Sequence, residues 1–244
     1  MTLNGRVALV TGGAKRVGQT VALALARRHA HVALSYRTSA REALRTVKAM
    51  QQLGVDALAI RADLSRSADV QRLIDKVRRR FGQLDILVNS AATFDRTPYD
   101  TLTERDWDRA IDTNLKGPFL CALYASRLMR QHGGGKIINV ADWAGVRPYQ
   151  DYLPYCVSKA GVIGLTKALA KELAPTIQVN AIAPGPILPP AAMSTSTRAR
   201  IARRVPLRCW GSPHDIANTA LFLIEGTDFM TGSVVFVDGG SLIA

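Results

Sequence analysis

The chain has 244 residues, of which 48% are hydrophobic, so it is long enough to bury the core of one α/β domain. The 32 Lys and Arg residues outnumber the 19 Asp and Glu residues, giving a net charge of +13. Because the Arg residues are dispersed over several predicted helices, we interpret most of this excess as a solvated surface and predict no nucleic-acid partner.

The first predicted strand, near residues 6–11, is followed by a Gly-rich turn over residues 12–18 and then by a helical pattern. This order lets a pyrophosphate approach bare backbone at the amino terminus of a helix, where free N–H groups and the helix dipole favour anions. We therefore predict a dinucleotide site at this turn. The predicted contacts are Thr11, Gly12, Lys15, Arg16, Val17 and Gly18.

The second predicted strand, near residues 31–36, ends without the acid that would accept hydrogen bonds from a ribose 2′-hydroxyl. Arg37 follows instead, and Lys15 and Arg16 can converge on the same corner. Cations suit a 2′-phosphate, because each guanidinium presents a fork of donors to phosphate oxygens. The sequence thus predicts NADPH as the cofactor in preference to NADH. The contacts predicted at this corner are Tyr36, Arg37, Thr38 and Ser39.

Further strands are predicted near residues 55–61, 84–88, 136–141, 176–183 and 233–237, with helical patterns between them. This alternation predicts an α/β fold with a doubly wound parallel sheet of seven strands and helices on both faces. Ligands should bind at the carboxyl ends of the strands. The segment at about 185–212, which is rich in Pro, Ala and Ser at its start, is predicted to be a substrate lid, with a disordered loop as the alternative.

Tyr155 and Lys159 stand four residues apart in a helical pattern, so their side chains share one face. The Lys charge is expected to favour the phenolate and lower the pKa of Tyr155, which would suit a general acid or base. Asp142 lies at the end of a predicted strand, thirteen residues upstream of Tyr155. Trp143 and Tyr152, which are close to this segment, are interpreted as packing residues.

These motifs together resemble the short-chain dehydrogenase/reductase family over nearly the full chain. The resemblance rests on residues 11–18, 62–64, 89–92, 112–115, 155–159, 184–185 and 237–240. It implies one Rossmann-type reductase domain over residues 1–244 and a small-molecule substrate. The implied catalytic residues are Asn114, Asp142, Tyr155 and Lys159. The implied cofactor contacts also include Asp63, Leu64, Asn89, Tyr155, Lys159, Pro184, Gly185 and Ile187.

Within the family, the resemblance implies that Lys159 holds the nicotinamide ribose and that Asn114 binds a water linking Lys159 to solvent. Two positions depart from the common pattern: Arg16 replaces a usual Gly, and Asp142 replaces a usual Ser. Both are similar to the pteridine reductase branch, which also places an aromatic ring where Phe94 lies. This resemblance implies NADPH-dependent reduction of a pterin. The implied substrate contacts are Arg16, Phe94, Asp142 and Tyr155.

Physical reasoning favours the same substrate, because an ionised Asp142 would repel the oxyanion that forms when a ketone is reduced. The alternative is a carbonyl reductase similar to the 3-oxoacyl carrier-protein reductases, in which a protonated Asp142 donates to the carbonyl as a serine would. Phe94 has the separate alternative of an ordinary pocket wall, and Arg16 that of serving only the cofactor phosphate. A non-catalytic nucleotide-binding protein is a minor alternative, against which Asn114, Tyr155 and Lys159 all argue.

The remaining expectations concern compartment, metal content and assembly. The chain shows no charged and apolar signal segment and no apolar run of roughly eighteen residues, so we expect a cytoplasmic protein without a membrane partner. Three separated Cys residues and four scattered His residues predict neither disulfides nor a metal site. The resemblance implies a homotetramer with one interface formed by helices near 104–131 and 153–174.

Overall fold

The computed structural model describes residues 1–190 and 193–244, and its centre is a parallel β-sheet. The strands are β1 Val7–Thr11, β2 His31–Tyr36, β3 Ala57–Arg61, β4 Ile86–Asn89, β5 Gly135–Val140, β6 Ile177–Pro184 and β7 Val234–Val237. They form one seven-stranded sheet in the order β3-β2-β1-β4-β5-β6-β7. The doubly wound parallel sheet predicted from the sequence is thereby confirmed.

Helices connect the strands. They are α1 Arg16–Ala26, α2 Ala40–Gln51, α3 Ser67–Phe81, α4 Glu104–Ile111, α5 Gly117–Gln131, α6 Leu153–Leu173, α7 Thr195–Arg204 and α8 Pro213–Leu221. Within the described ranges, no helix is long and apolar enough to cross a membrane. The same residues include no group of three or more His, Cys, Asp or Glu side chains placed to hold a metal ion.

The sheet separates two hydrophobic cores, because successive strand side chains point to opposite faces. In β1, Ala8 and Val10 belong to one core, whereas Val7 and Leu9 belong to the other. Side chains of α1, α2 and α8 complete the first core, and those of α3, α5 and α6 complete the second. All five residues of β1 are buried, as expected of a central parallel strand covered by helices on both faces.

The helical pattern over residues 104–131 is interrupted. A π-helical turn over Asp112–Lys116 separates α4 from α5. Pro118 lies at the start of α5 and has no N–H, so it cannot donate the normal helical hydrogen bond to the carbonyl of Asn114. The widened turn holds Asn114 in the interior, where it is 1% exposed.

The sheet order reverses between β1 and β4, which are adjacent strands with connections leading to opposite sides. In open parallel sheets this reversal leaves a crevice at the carboxyl ends of the strands, where ligands bind. The predicted lid, 185–212, follows β6 and contains α7, in which no residue is buried. Ala191 and Ala192 of that segment lie outside the described residues, and its action as a lid stays a prediction.

Candidate active site

A cavity of about 1200 Å³ opens at the carboxyl ends of the strands. It receives most of the cofactor contacts predicted from the sequence. Those that line it are Gly12, Lys15, Arg16, Val17, Gly18, Tyr36, Arg37, Thr38, Ser39, Asp63, Leu64, Tyr155, Lys159, Pro184, Gly185 and Ile187. The cavity therefore brings these residues from five separate segments of the chain around one space.

Thr11 and Asn89 lie behind the cavity wall, although both were predicted to contact the cofactor. The Thr11 hydroxyl accepts hydrogen bonds from the backbone N–H groups of Ser90, at 3.0 Å, and Ala91, at 3.1 Å. Asn89 is buried and donates to the side-chain oxygen of Asn139 at 2.9 Å. These contacts join the ends of β1, β4 and β5, so both residues support the wall from behind.

The Gly-rich turn presents bare backbone to the cavity. Gly12 has φ +65°, and a Cβ atom there would lie 2.8 Å from the Cα atom of Ala91. A Cβ atom on Gly18 would lie 2.5 Å from the carbonyl oxygen of Gly12. Side chains at these two positions would fill the turn, and α1 begins directly beside it at Arg16. The turn thus fits the diphosphate of a dinucleotide at a helix amino terminus.

The corner beyond β2 is cationic. Lys15, Arg37 and Ser39 line the cavity there, and no Asp or Glu occurs between the end of β2 and the start of α2. Asp63, the acid on the adjacent side, uses its carboxylate to accept from the backbone N–H and the hydroxyl of Ser65, at 3.1 and 2.7 Å. The corner therefore suits an additional phosphate group on the ribose.

Helix α6 places Tyr155 and Lys159 one turn apart on the cavity wall. The Lys159 ammonium lies 5.8 Å from the centre of the Tyr155 ring and donates to the Val140 carbonyl oxygen at 2.7 Å. Burial lowers the pKa of Lys159 to about 8, and the charge of Asp142 opposes this shift. Lys159 thus remains largely cationic at neutral pH while it faces the phenol.

Asp142 follows β5 and its side chain is held by two hydrogen bonds. One carboxyl oxygen accepts from the backbone N–H of Ala144 at 2.8 Å, and the other accepts from the Tyr155 hydroxyl at 2.6 Å. Burial raises the pKa of Asp142, whereas the hydrogen bonds from Tyr155 and Ala144 lower it. Because the first effect is the larger, the neutral carboxylic acid is more accessible than in a solvated Asp.

The expectation of a lowered Tyr155 pKa is wrong in this structure. Burial raises the pKa of Tyr155 well above its usual value, and the charge of Asp142 raises it further. The sequence showed a Lys on the same helix face, but the group in hydrogen-bonding contact with the phenol is a carboxyl group from another segment. A carboxylate opposes the phenolate, since the two charges would be alike.

Asn114 lies outside the cavity wall. Its side-chain oxygen accepts from the backbone N–H of Thr93 at 2.8 Å. Its amide nitrogen donates to the Thr93 carbonyl at 3.0 Å and to the Ser158 hydroxyl at 3.1 Å. These bonds attach the loop after β4 to α6. The water-binding role of Asn114 beside Lys159 stays a prediction.

Five aromatic residues line the cavity beside Asp142. This aromatic wall consists of Phe94, Trp143, Tyr149, Tyr152 and Tyr155. Phe94 is 48% exposed and stacks on Tyr152, with ring centres 4.5 Å apart and an angle of 12° between the ring planes. Its ring is also nearly perpendicular to that of Tyr155, with ring centres 4.7 Å apart.

The aromatic wall corrects two sequence interpretations. Trp143 and Tyr152 face the cavity, although both were interpreted as packing residues. The sequence reasoning also missed Tyr149, which lies on the same wall. The available signal was the density of aromatic residues in 143–155, directly before and within the segment that carries Tyr155.

Two loops that are distant in sequence hold the wall together. The Thr97 N–H donates to the Asp151 carbonyl oxygen at 2.7 Å, and Arg96 forms an ion pair with the Asp151 carboxylate, also at 2.7 Å. Asp151 has φ +65°, a conformation that residues other than Gly rarely adopt. The bridge between the loops fixes Phe94 of one loop against Tyr152 of the other.

Arg16 connects the nucleotide turn to the predicted lid. Its guanidinium donates to the carbonyl oxygen of Leu188 at 3.2 Å, and both residues line the cavity. Arg16 also adopts φ +57°. The hydrogen bond to Leu188 places the Arg16 side chain between the nucleotide turn and the predicted lid. A contact between Arg16 and the substrate stays a prediction.

A Rossmann-type sheet, a Gly-rich nucleotide turn and a buried Tyr-Lys pair in one cavity define an oxidoreductase. The chain belongs to the short-chain dehydrogenase/reductase family. A family model described as enoyl-(acyl carrier protein) reductase matches residues 12–241. This match covers the nucleotide turn, Asp142, Tyr155, Lys159 and the predicted lid.

Curated relatives and solved structures match almost the whole chain. The 3-oxoacyl-[acyl-carrier-protein] reductase FabG of Staphylococcus aureus is 38% identical over 237 residues, which are 96% of each chain. The 3-oxoacyl-[acyl-carrier-protein] reductase of Synechocystis is 36% identical, covering 99% of this chain and 98% of the relative. A blue fluorescent protein from a metagenomic library, solved in complex with NADPH, is 30% identical with a TM-score of 0.90, and the match covers 99% of each chain. None of these three is named as a pteridine reductase, so that branch remains unconfirmed.

Proposed function

We propose that the protein is an NADPH-dependent carbonyl reductase that reduces the 3-oxo group of an acyl thioester. The main observation behind the proposal is that Tyr155 and Lys159 line the same cavity as the Gly-rich nucleotide turn. The curated relatives named as 3-oxoacyl reductases support the substrate class. The cationic corner at Arg37 and the NADPH complex of a structural relative support the cofactor.

The proposed reaction converts a ketone, NADPH and a proton into an alcohol and NADP⁺. When bound, NADPH supplies the hydride to the carbonyl carbon. Tyr155 donates its proton to the carbonyl oxygen, and the Lys159 cation stabilises the phenolate that remains. Asp142, in its neutral form, donates a second hydrogen bond to the same oxygen, at the position where the common family pattern has Ser. The raised pKa of Asp142 favours this neutral form.

The role of Asp142 leads to a substitution test. In Asp142→Ser, the hydroxyl donates at every pH, whereas Asp142 loses its proton as the pH rises through its pKa. We expect kcat for acetoacetyl thioester reduction at pH 8 to rise about tenfold. This corresponds to one additional hydrogen bond that stabilises the transition state by about 1.4 kcal/mol. The measurement is NADPH oxidation between pH 5 and 9.

The pH profile supplies the control for this prediction. Wild-type kcat should fall toward high pH, and Asp142→Ser should lack this fall. A Ser variant that loses thioester activity at all pH values would contradict the donor role. Asp142 would then act as an ionised group.

The cofactor preference gives a second test. Arg37→Glu is expected to raise KM for NADPH by about 10- to 100-fold, because it replaces a charged donor to the 2′-phosphate by a like charge, while KM for NADH changes little. Arg79→Glu, an exposed position on α3 outside the cavity, makes the same change in net charge. If both variants weaken NADPH binding equally, the effect comes from overall charge and not from a phosphate contact at Arg37.

The aromatic wall favours a second candidate substrate, a planar heteroaromatic ring with a C=N bond, such as a dihydropterin. Phe94 is 48% exposed and lines the cavity together with Asp142 and Tyr155. A ring with amino and N–H donors would pair with an ionised Asp142. NADPH oxidation with dihydrobiopterin, run beside the thioester assay, separates the two substrates. Turnover of the pterin alone would replace the proposed carbonyl substrate.

A further inference from the structure

The turn over residues 238–244, which follows β7, is held by hydrogen bonds within itself. The Asp238 carboxylate accepts from the backbone N–H groups of Gly240, at 3.0 Å, and Leu242, at 2.7 Å. The Ser241 hydroxyl donates to the Asp238 carbonyl oxygen at 2.7 Å. Because an ionised carboxylate is a strong acceptor, these bonds give the 238–244 turn a defined shape.

The 238–244 turn packs against the end of the predicted lid. The backbone N–H of Leu207 donates to the Gly239 carbonyl oxygen at 3.2 Å. A Cβ atom on Gly239 would lie 2.6 Å from the Cγ1 atom of Val205, so the two segments are in close contact there. Val205 is buried and lines the cavity. The turn and the segment that follows α7 therefore form one wall.

Arg147 attaches this turn to the loop after β5. Its guanidinium donates to the carbonyl oxygen of Ser241 at 3.1 Å and to that of Ala244. The guanidinium carbon also lies 5.9 Å from the centre of the Trp143 ring. All four residues line the cavity. Arg147 thus joins two segments that are distant in sequence across one part of the cavity wall.

The side chains next to this attachment are apolar. Val205 contacts the 238–244 turn, Trp143 contacts Arg147, and Ile201 of α7 lines the same cavity. Such surfaces favour an aliphatic chain, because each methylene group gains free energy when it leaves water. An acyl chain that extends from a carbonyl group at the catalytic residues would therefore run along an apolar wall and meet the turn.

We propose that Arg147 is a specificity-determining residue that holds the 238–244 turn in place and thereby limits the length of the acyl chain. This role rests on the proposed carbonyl reduction. A chain longer than the apolar wall must displace the turn and break the hydrogen bonds from Arg147 to its carbonyl groups. Without the guanidinium, the turn yields more easily, and the additional methylene groups are buried at a smaller cost.

The test compares Arg147→Gln with Arg204→Gln. Both residues are exposed and line the cavity, and both substitutions remove one positive charge. In the described part of the chain, Arg204 donates no hydrogen bond to the 238–244 turn. We expect Arg147→Gln to raise the ratio of kcat/KM for 3-oxodecanoyl-coenzyme A to that for acetoacetyl-coenzyme A by about tenfold, the discrimination typical of a methylene in an apolar pocket. Arg204→Gln should leave this ratio unchanged.

A conservative variant and the KM values show whether Arg147 acts through the turn. Arg147→Lys keeps the charge and a donor for a carbonyl group, and should bring the ratio back toward the wild-type value. An equal rise of KM for both thioesters in Arg147→Gln would overturn the proposal, since Arg147 would then bind the carrier that both share. An unchanged ratio, or the same change in Arg204→Gln, would also overturn it.

Two readouts need no turnover. Calorimetric titration uses butanoyl- and decanoyl-coenzyme A, which have no 3-oxo group. Tighter binding of the decanoyl thioester alone in Arg147→Gln supports the length limit, even if no 3-oxo thioester is reduced and the proposed function fails. The Leu242 N–H should also exchange its hydrogen faster in this variant, and wild-type exchange contradicts the holding role. Should Arg147→Gln not fold, Asp238→Asn, which removes an acceptor inside the turn, is expected to raise the same ratio and decides.

Discussion

Tyr155→Phe is expected to lower kcat for thioester reduction by about 10³-fold, because the substitution removes the proton donor and keeps the ring. General acid catalysis by a positioned side chain contributes about 10²- to 10⁴-fold. The Tyr155 hydroxyl lies on the cavity wall within hydrogen-bonding distance of Asp142 and opposite the Lys159 cation. The measurement is steady-state NADPH oxidation, combined with NADPH binding followed by cofactor fluorescence, which should change little.

A matched variant separates the loss of the proton donor from a nonspecific effect of removing a Tyr hydroxyl. Tyr99→Phe removes a hydroxyl from a residue that is 76% exposed and lies outside the cavity, and it should keep wild-type kcat. If Tyr155→Phe lost less than about tenfold in activity, Tyr155 would not be the main donor. Asp142, the other acidic group 2.6 Å away, would then be the candidate.

Gly18→Ala is expected to weaken NADPH binding by about 100-fold and to lower the thermal midpoint. The added Cβ would lie 2.5 Å from the carbonyl oxygen of Gly12 and 3.0 Å from its carbonyl carbon. These neighbours are backbone atoms of the nucleotide turn, so the turn itself must move. Overpacking of this kind costs about 1–3 kcal/mol. Calorimetric titration with NADPH and a thermal melt measure the two effects.

Gly164→Ala provides the comparison for this loss. Gly164 lies on the exposed side of α6, and a Cβ atom there would have no neighbour within 4 Å. Ala in a helix is more favourable than Gly by about 0.5–1 kcal/mol, so this variant should bind NADPH normally and melt no earlier than the wild type. If Gly18→Ala also bound NADPH normally and melted no earlier than the wild type, the nucleotide turn would not require Gly at position 18 to bind the cofactor.

The strands could be predicted from the sequence because buried parallel strands appear as uninterrupted apolar runs. The prediction for β2 coincides with His31–Tyr36. The prediction for β4 begins two residues too early, at residue 84. Asp85 lies just before the strand, and its carboxylate binds the start of β1: it accepts from the Val7 N–H and from Arg6, both at 2.8 Å. Such a contact between segments distant in sequence leaves no local signal.

The positions of site residues could be predicted where a single helix or strand determines the direction of the side chain. Tyr155 and Lys159 face one space because a helix repeats every 3.6 residues, and Arg37 lines the cavity because it follows a strand end. The directions of Trp143, Tyr149 and Tyr152 were not predictable, since they depend on loops held by the contact between Thr97 and Asp151. The direction of the Tyr155 pKa shift was also predicted wrongly, because it depends on groups outside the helix that carries Tyr155. Burial and Asp142 control it, and neither is visible in the helix pattern.

We expect the bridge between the loops that carry Phe94 and Tyr152 to couple these two residues in substrate selection. A substitution in either loop changes the support of the other through Arg96 and Asp151. Energetic effects add for independent sites and fail to add for residues in one network. Variants that combine changes in the two loops should therefore show epistasis in kcat/KM, and a change of substrate preference through Phe94 or Tyr152 requires both loops to be varied together.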